Sequence, residues 1–255
     1  MGESVFADHF SAGASNYARY RPRYPSALFE WLADITPDRR RAWDCATGNG
    51  QAAVALAEHF DEVIATDASE AQLAAAERHT RVRYGCATAE QSGLHDRSVN
   101  LVTVAQALHW LDLAAFHREV NRVAVRGGVI AVWSYGPIQV DRAIDGVVDE
   151  LYHRTLGSYW PTARAHVDTG YRDLAFPFAA IESPGFSMST RWTLAELLGY
   201  VGTWSAAQRY ARAIGGDALG RFAEQLAARW GNPDEPREVR WPLTVRAGHV
   251  GAGQP

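Results

Sequence analysis

An open, doubly wound α/β sheet, mostly parallel, is the fold that residues 40–134 predict. Three observations carry this. Short apolar runs alternate with stretches of helical spacing, the pattern of parallel strands joined by right-handed crossovers. Val129-Ile130-Ala131-Val132-Trp133 is almost continuously apolar, as in a strand covered on both faces. Polar and acidic residues recur at the strand ends (Asp44, Asp67, Thr88 to Glu90, Gln106), where open parallel sheets bind their ligands.

The elements follow in chain order. Residues 1–24 hold no strong period but many aromatic and basic side chains. Arg21-Pro22-Arg23-Tyr24-Pro25 should be extended, because each proline biases its predecessor away from the α region. An apolar-faced helix is expected from Ser26 to Ala33, then a strand from Arg41 to Asp44. The turn Ala46-Thr47-Gly48-Asn49-Gly50 leads into a helix over Gln51–Phe60, and Val63–Asp67 is the second strand. Ser69 is placed to cap a helix reaching Thr80, with Glu70 and Glu77 exposed. Val82–Tyr84 and Leu101–Val104 are the third and fourth strands. Asp112 caps a helix that Gly127-Gly128 should stop before the fifth strand.

After Tyr135 the alternation breaks. A helix over Asp141–Leu156 precedes a loop-rich stretch to Pro184. Phe186–Trp192 reads as a strand, Thr193–Thr203 and Ala206–Trp230 as helical with a break near Gly215-Gly216, and Val239–Val250 as a last strand. One domain over 1–255 is expected: an arm (1–24), a core (40–134), insertions and late elements (135–235) and a last strand (236–250).

Composition removes several functions. The apolar fraction of 47% and charged fraction of 21% describe an ordinary globule with a full core. A net charge of −4 argues against a nucleic-acid or membrane-surface partner, which would call for a basic patch. No apolar run approaches the roughly 18 residues of a membrane span, and Met1–Phe6 lacks a charged-then-apolar leader, so a cytoplasmic location is expected. Cys45 and Cys86 are too few for a disulfide framework or a cysteine zinc site and are expected in the core. The nine histidines show no zinc-peptidase spacing, so no metal is expected. All 25 basic residues are arginine. Without lysine there is no Walker lysine, no pyridoxal Schiff base and no lysine nucleophile.

The glycine turn after the first strand is a ligand cradle. Glycine lets the backbone turn tightly and lets a ligand approach without a Cβ in the way. Gly48-Asn49-Gly50-Gln51-Ala52-Ala53 satisfies G-x-G-x-x-A, the fingerprint that cradles a dinucleotide pyrophosphate. Read instead as Asp44-x-Ala46-x-Gly48-x-Gly50, the unit includes an acid that would repel a pyrophosphate but suits a ligand carrying a cationic amine. Asp67, 17 residues after Gly50, is placed to accept hydrogen bonds from two ribose hydroxyls.

These segments resemble the class I S-adenosylmethionine-dependent methyltransferases. Asp44 to Gly50 is similar to their first motif, Ile64–Asp67 to their ribose-binding strand end, Thr88–Glu90 to their adenine-side loop, and Asn100–Gln106 to their fourth-strand motif. Ala46 stands where the family has its first glycine, and Thr88 where an aspartate often contacts the adenine amine. Tyr17-Ala18-x-Tyr20-Arg21-Pro22-x-Tyr24-Pro25 and Gln106–Trp110 resemble a narrower branch, the trans-aconitate methyltransferase-like enzymes (methyltransferase type 11), which act on small molecules, some of them carboxylates.

The resemblance implies a Rossmann-like, doubly wound, mostly parallel seven-stranded sheet with an antiparallel last strand. The arm and the segment after strand five would form a helical lid. It implies S-adenosyl-L-methionine as cofactor, S-adenosyl-L-homocysteine as product, and a small-molecule methyl acceptor, with the protein a monomer or homodimer. The cofactor residues implied are Tyr17, Arg21, Asp44, Ala46, Gly48, Gly50, Gln51, Asp67, Ala68, Thr88, Ala89, Glu90, Ala105 and Gln106. Tyr20, His109, Trp110, Trp133 and Tyr135 would line the acceptor pocket. A carboxylate acceptor would need no base but an arginine clamp, from Arg21, Arg23, Arg191 or Arg209. An amine or hydroxyl acceptor would need a base, for which His109 is best placed. An NAD-type oxidoreductase, without the usual Tyr-x-x-x-Lys, and a non-catalytic adenosyl-ligand binder are the alternatives.

Overall fold

A computed structural model describes residues 22–215 and 219–251. The chain divides into two compact units. One holds Arg23–Gly136, Thr162–Met188 and the stretch opening at Trp241; the other holds Pro137–Pro161 and Ser189–Arg240 among the described residues. The boundaries fall inside two strands, β7 (Phe186–Trp192) and β8 (Arg237–His249).

The larger unit carries the sheet and its helices. After α1 (Ser26–Ile35) come β1 (Arg41–Cys45), α2 (Gln51–Leu56), β2 (Glu62–Asp67), α3 (Glu70–Ala74), β3 (Val82–Cys86) and β4 (Val99–Ala105). They are followed by α4 (Leu113–Val123), β5 (Ala124–Tyr135), a four-residue α5 (Ala165–Asp168) and β6 (Ala179–Ile181). The strand order is β3-β2-β1-β4-β5-β8-β6, with β7 pairing β8 off this path. β1 to β5 pair in parallel, whereas β8 runs antiparallel to both β5 and β6. The doubly wound, mostly parallel sheet is as expected, with eight strands among the described residues rather than seven. The three-residue β6 is too short to announce itself by alternation.

The core sits on the sheet's central strands. β4 is buried along all but its last residue, and Trp43, Val102, Val104, Ile130 and Val132 pack with Phe116, Val120 and Val123 of α4. Asp112 caps α4 as expected, its carboxylate accepting the Ala115 N–H at 3.1 Å. Gly127-Gly128 does not end a helix in a turn. The pair lies within β5, where pairing with β4 slips between Val99 and Leu101, and Gly127 takes φ +76°. A Cβ at Gly128 would lie 3.0 Å from the carbonyls of Asn100 and Val125, so the slip needs glycine there.

Two helices are shorter than their periodicity predicts. α2 ends at Leu56 rather than Phe60, and the Leu56 carbonyl accepts the N–H groups of both His59 and Phe60 in a turn. α3 stops at Ala74 rather than Thr80, because the following backbone is claimed by tertiary partners. The Glu77 N–H donates to the Asn49 carbonyl at 3.0 Å, and the Glu77 carbonyl accepts the Tyr84 hydroxyl at 2.5 Å.

The second unit is helical around an aromatic stack. Asp141 caps α6 (Arg142–Asp149), which runs into a π-helical turn at Glu150–Thr155. Thr193 and Glu196 form a capping box on α7 (Leu194–Gly202), and α8 (Ser205–Ile214) and α9 (Gly220–Trp230) follow. Tyr152, Trp160, Tyr200 and Trp204 lie in ring contact, with Tyr152 and Trp160 4.7 Å apart. Arg237 ties the ends of this unit together, pairing with Asp141 at 2.6 Å and lying over the Trp230 ring. No helix among the described residues is long and apolar enough to cross a membrane.

Candidate functional site

The parallel register lines up the carboxyl ends of the first five strands. Cys45 pairs with Thr66 and Val104, Asp67 with Cys86, and Ala105 with Trp133. The turn after β1 rises from this edge. Three of its five residues hold left-handed backbone: Ala46 at φ +53°, Gly48 at +57° and Gly50 at +84°. Glycine adopts that conformation freely; at Ala46 the Cβ strains it by roughly 1 kcal/mol, so alanine fits the first-glycine position at a cost.

Asp44 lies buried at the base of the turn. Its carboxylate is fully buried, accepting the Thr47 hydroxyl at 2.6 Å and the Thr103 hydroxyl at 2.8 Å. Burial raises its pKa to about 6 in spite of those bonds. Through these two hydroxyls Asp44 bolts the turn to β4.

Asp67 faces the turn and is half-exposed. One carboxylate oxygen accepts the Gly48 N–H and the other the Ser69 N–H, both at 2.8 Å. At Gly48 an added Cβ would approach, among the described residues, only the Gln72 amide oxygen, at 3.9 Å, so those residues leave the space above the turn open. At Gly50 it would lie 2.2 Å from the Tyr84 hydroxyl. Tyr84 and Glu77 therefore form a wall beside the turn, which Arg23 braces by pairing with Glu77 at 2.9 Å. Sequence reasoning missed this wall, because a tyrosine on an edge strand carries no signal of where its hydroxyl reaches.

The other rim residues fall into two groups. Ala89 is buried in the core, Thr88 bridges to Gln91, and the Glu90 carboxylate accepts the Asp112 N–H at 3.0 Å. Their loop is fixed from behind by buried Glu119, which accepts both the N–H and the hydroxyl of Ser92 and pairs with Arg122. Arg122 holds Glu119's pKa down to about 2. Beyond Ala105, Gln106 takes φ +57°, its N–H donating to the Trp133 carbonyl and its amide to the Tyr135 carbonyl. Gln51 opens α2, and the Ala68 carbonyl has the Cys86 thiol 3.9 Å away. Cys86 is exposed at the rim, not in the core, whereas Cys45 is buried.

The acceptor-side residues differ in burial. Trp133 is fully buried, in ring contact with Tyr24 and Phe29. Trp110 is 39% exposed, its ring 4.6 Å from that of His109, and Tyr135 is almost fully buried. His109 Nδ1 lies 3.0 Å from the Tyr171 hydroxyl. Burial, reinforced by the charges of Arg164 and His166, lowers its pKa to about 3, so its imidazole is neutral at neutral pH. Of the arginines considered for a clamp, Arg23 is paired with Glu77, Arg191 donates to the Pro236 carbonyl and Arg209 to the Tyr159 carbonyl. Tyr17, Tyr20 and Arg21, and with them most of the arm expected to act as a lid, lie outside the described residues.

The chain is similar in sequence and fold to known proteins. A family model described as a methyltransferase domain matches residues 43–132, the stretch from β1 into β5. A solved structure from Anaeromyxobacter dehalogenans, which carries the name of a type II methyltransferase, is similar at a TM-score of 0.86 and 48% identity, covering 90% of this chain and 98% of that one. A Dictyostelium discoideum protein bearing a methyltransferase name is 32% identical over 234 residues, 90% of this chain and 89% of that protein. The chain belongs to the class I S-adenosylmethionine-dependent methyltransferases. An uncharacterized methyltransferase of Mycobacterium tuberculosis is 37% identical over 129 residues, 49% of this chain and 51% of that protein. Membership sets aside the dinucleotide reading of Gly48–Ala53 and the non-catalytic reading. The cofactor of this methyltransferase is S-adenosylmethionine.

Proposed function

We propose that this methyltransferase moves the methyl group of S-adenosylmethionine onto a carboxylate of a small molecule in the cytoplasm, by positioning rather than by covalent catalysis. The observation that carries this reading is the state of His109. With a pKa of about 3, its imidazole is too weak a base to take a proton from a hydroxyl or an ammonium group at neutral pH. A carboxylate, with an ordinary pKa of about 4, arrives already ionised and needs no base.

The residues at the strand ends suit the cofactor. Open space above Gly48 admits a ligand, and each Asp67 oxygen, having accepted one backbone N–H, keeps acceptor capacity for a ribose hydroxyl. In this reading Ala46, Gly48, Gly50 and Gln51 cradle the amino-acid part, and Asp67 and Ala68 hold the ribose. Thr88, Ala89, Glu90, Ala105 and Gln106 flank the adenine side, with Tyr17 and Arg21 contributing from the arm. Asp44 acts through the turn that it supports. When bound, the cofactor supplies an electrophilic methyl group on a sulfonium. The chain's part is to hold the acceptor oxygen in line at near-attack distance and to exclude water, which by itself accounts for much of such an acceleration. A monomer or a homodimer could carry out this chemistry.

The test is methyl transfer from isotopically labelled cofactor to panels of carboxylic acids, phenols and amines. Label released as methanol by mild alkali marks a methyl ester. Alkali-stable label on a phenol or an amine would reject the carboxylate reading.

A further inference from the structure

Gly170 and Tyr171 both hold left-handed backbone, at φ +62° each. At Gly170 a Cβ would meet the Thr244 side chain at 2.6 Å, so glycine is required. For a bulky tyrosine the same conformation is strained and persists only where its surroundings over-determine it. Arg246 provides that constraint: its guanidinium donates to the carbonyls of Tyr171 and Leu174 and lies over the Phe176 ring at 4.7 Å.

What the strain secures is the direction of one hydroxyl. The Tyr171 ring is fully buried. A buried hydroxyl needs an acceptor, and among the described residues that acceptor is His109 Nδ1 at 3.0 Å. Nδ1 then accepts, and a neutral imidazole carries its one proton on the other nitrogen.

We propose that Tyr171 is a positioning residue that locks His109 as the Nε2–H tautomer, and that this N–H and the Arg164 guanidinium form the subsite for the acceptor's carboxylate. Arg164 ends the short helical turn Thr162–Arg164, which packs against the turn Leu108–Trp110 that carries His109. Its positive charge acts on both His109 and Tyr171. A guanidinium has five donors in a planar fork, so Arg164, which has partners of its own, can also take a carboxylate. His166, the other basic side chain near His109, is 2.7 Å from Asp173, which also accepts the Thr169 hydroxyl. No proton moves in this arrangement. His109 and Arg164 hold one carboxylate oxygen and leave the lone pairs of the other to attack. The ligand class rests on the carboxylate reading above, whereas the tautomer does not.

The experiment is long-range ¹⁵N NMR of histidine-labelled protein saturated with S-adenosylhomocysteine, with His109→Gln to assign the signals. Wild type should show His109 protonated on Nε2 alone, and Tyr171→Phe, which keeps the buried ring, should give a tautomer mixture. A proton on Nδ1 in wild type overturns the positioning role, whether or not Tyr171→Phe folds. Mono-, di- and tricarboxylates of two to six carbons, with their neutral amides, are then titrated as probes. A carboxylate should shift the Nε2 signal, its amide should not, and Arg164→Gln should weaken the response about tenfold. No response to any carboxylate, or an equal response to the amide, removes the subsite. A locked tautomer with labelled methyl found on an amine would retire the carboxylate reading and leave the Tyr171 role standing.

Discussion

Asp67 accepts the Gly48 N–H on one carboxylate oxygen and the Ser69 N–H on the other, each at 2.8 Å, so the end of β2 is tied to the turn after β1. Asp67→Asn sets an amide NH₂ against one of those N–H donors and loses the charge that strengthens the remaining bond. Titration calorimetry should show S-adenosylhomocysteine binding weakened about tenfold or more. Unchanged affinity would remove Asp67 from the cofactor site.

The buried Asp44 predicts an unusual pH effect. Its carboxyl is raised from 3.8 to about 6, first by burial, so the folded state binds its proton more tightly than the unfolded state. The stability that this contributes is fully present below pH 3.8 and lost as pH rises through about 6, on the order of 3 kcal/mol over the whole window. Asp44→Asn lacks that titration but gives up an acceptor, a loss of about 1–3 kcal/mol. Urea unfolding at several pH values between 4 and 7 should show wild type losing stability relative to the variant as pH rises. A difference that does not change with pH would reject the assignment.

Glu119 carries the opposite sign. Arg122, and after it Ser92, pull its pKa down from 4.5 to about 2, so its contribution is present above pH 4.5 and lost as pH falls towards 2. Glu119→Gln should cost about 2 kcal/mol at pH 7 and less in acid, read from thermal melts across that range. It should also loosen the Thr88–Glu90 loop, seen as faster amide hydrogen exchange there.

Gly50 and Tyr84 are sterically coupled. Gly50→Ala directs a methyl group to 2.2 Å from the Tyr84 hydroxyl at a backbone φ of +84°. Chemical denaturation should show a loss of several kcal/mol, and adding Tyr84→Ala should recover roughly 1–3 kcal/mol as coupling. The remainder is the left-handed alanine, about 1–2 kcal/mol. A strictly additive double variant would mean that Tyr84 swings away from the turn at no cost.

Sequence alone determined the sheet, its parallel sense and the edge at which ligand chemistry gathers. Strand and helix periods are local patterns, and the polar residues that interrupt them at Asp44, Asp67 and Gln106 mark strand ends wherever the strands later pair. The caps at Ser69 and Asp112 are equally local, each needing only its own next turn. Tertiary structure decided what those polar groups do. Asp44 turned inward because two hydroxyls, from β4 and the turn, converge on it, a meeting that residues as far apart as Thr47 and Thr103 do not announce. α3 lost its last turn because Asn49 and Tyr84 compete for the Glu77 backbone. The same long-range logic set the protonation of His109. Its neighbours Tyr171 and Arg164 stand more than fifty residues away in the chain, and only the packing of two short turns brings their fields and hydrogen bonds onto one imidazole.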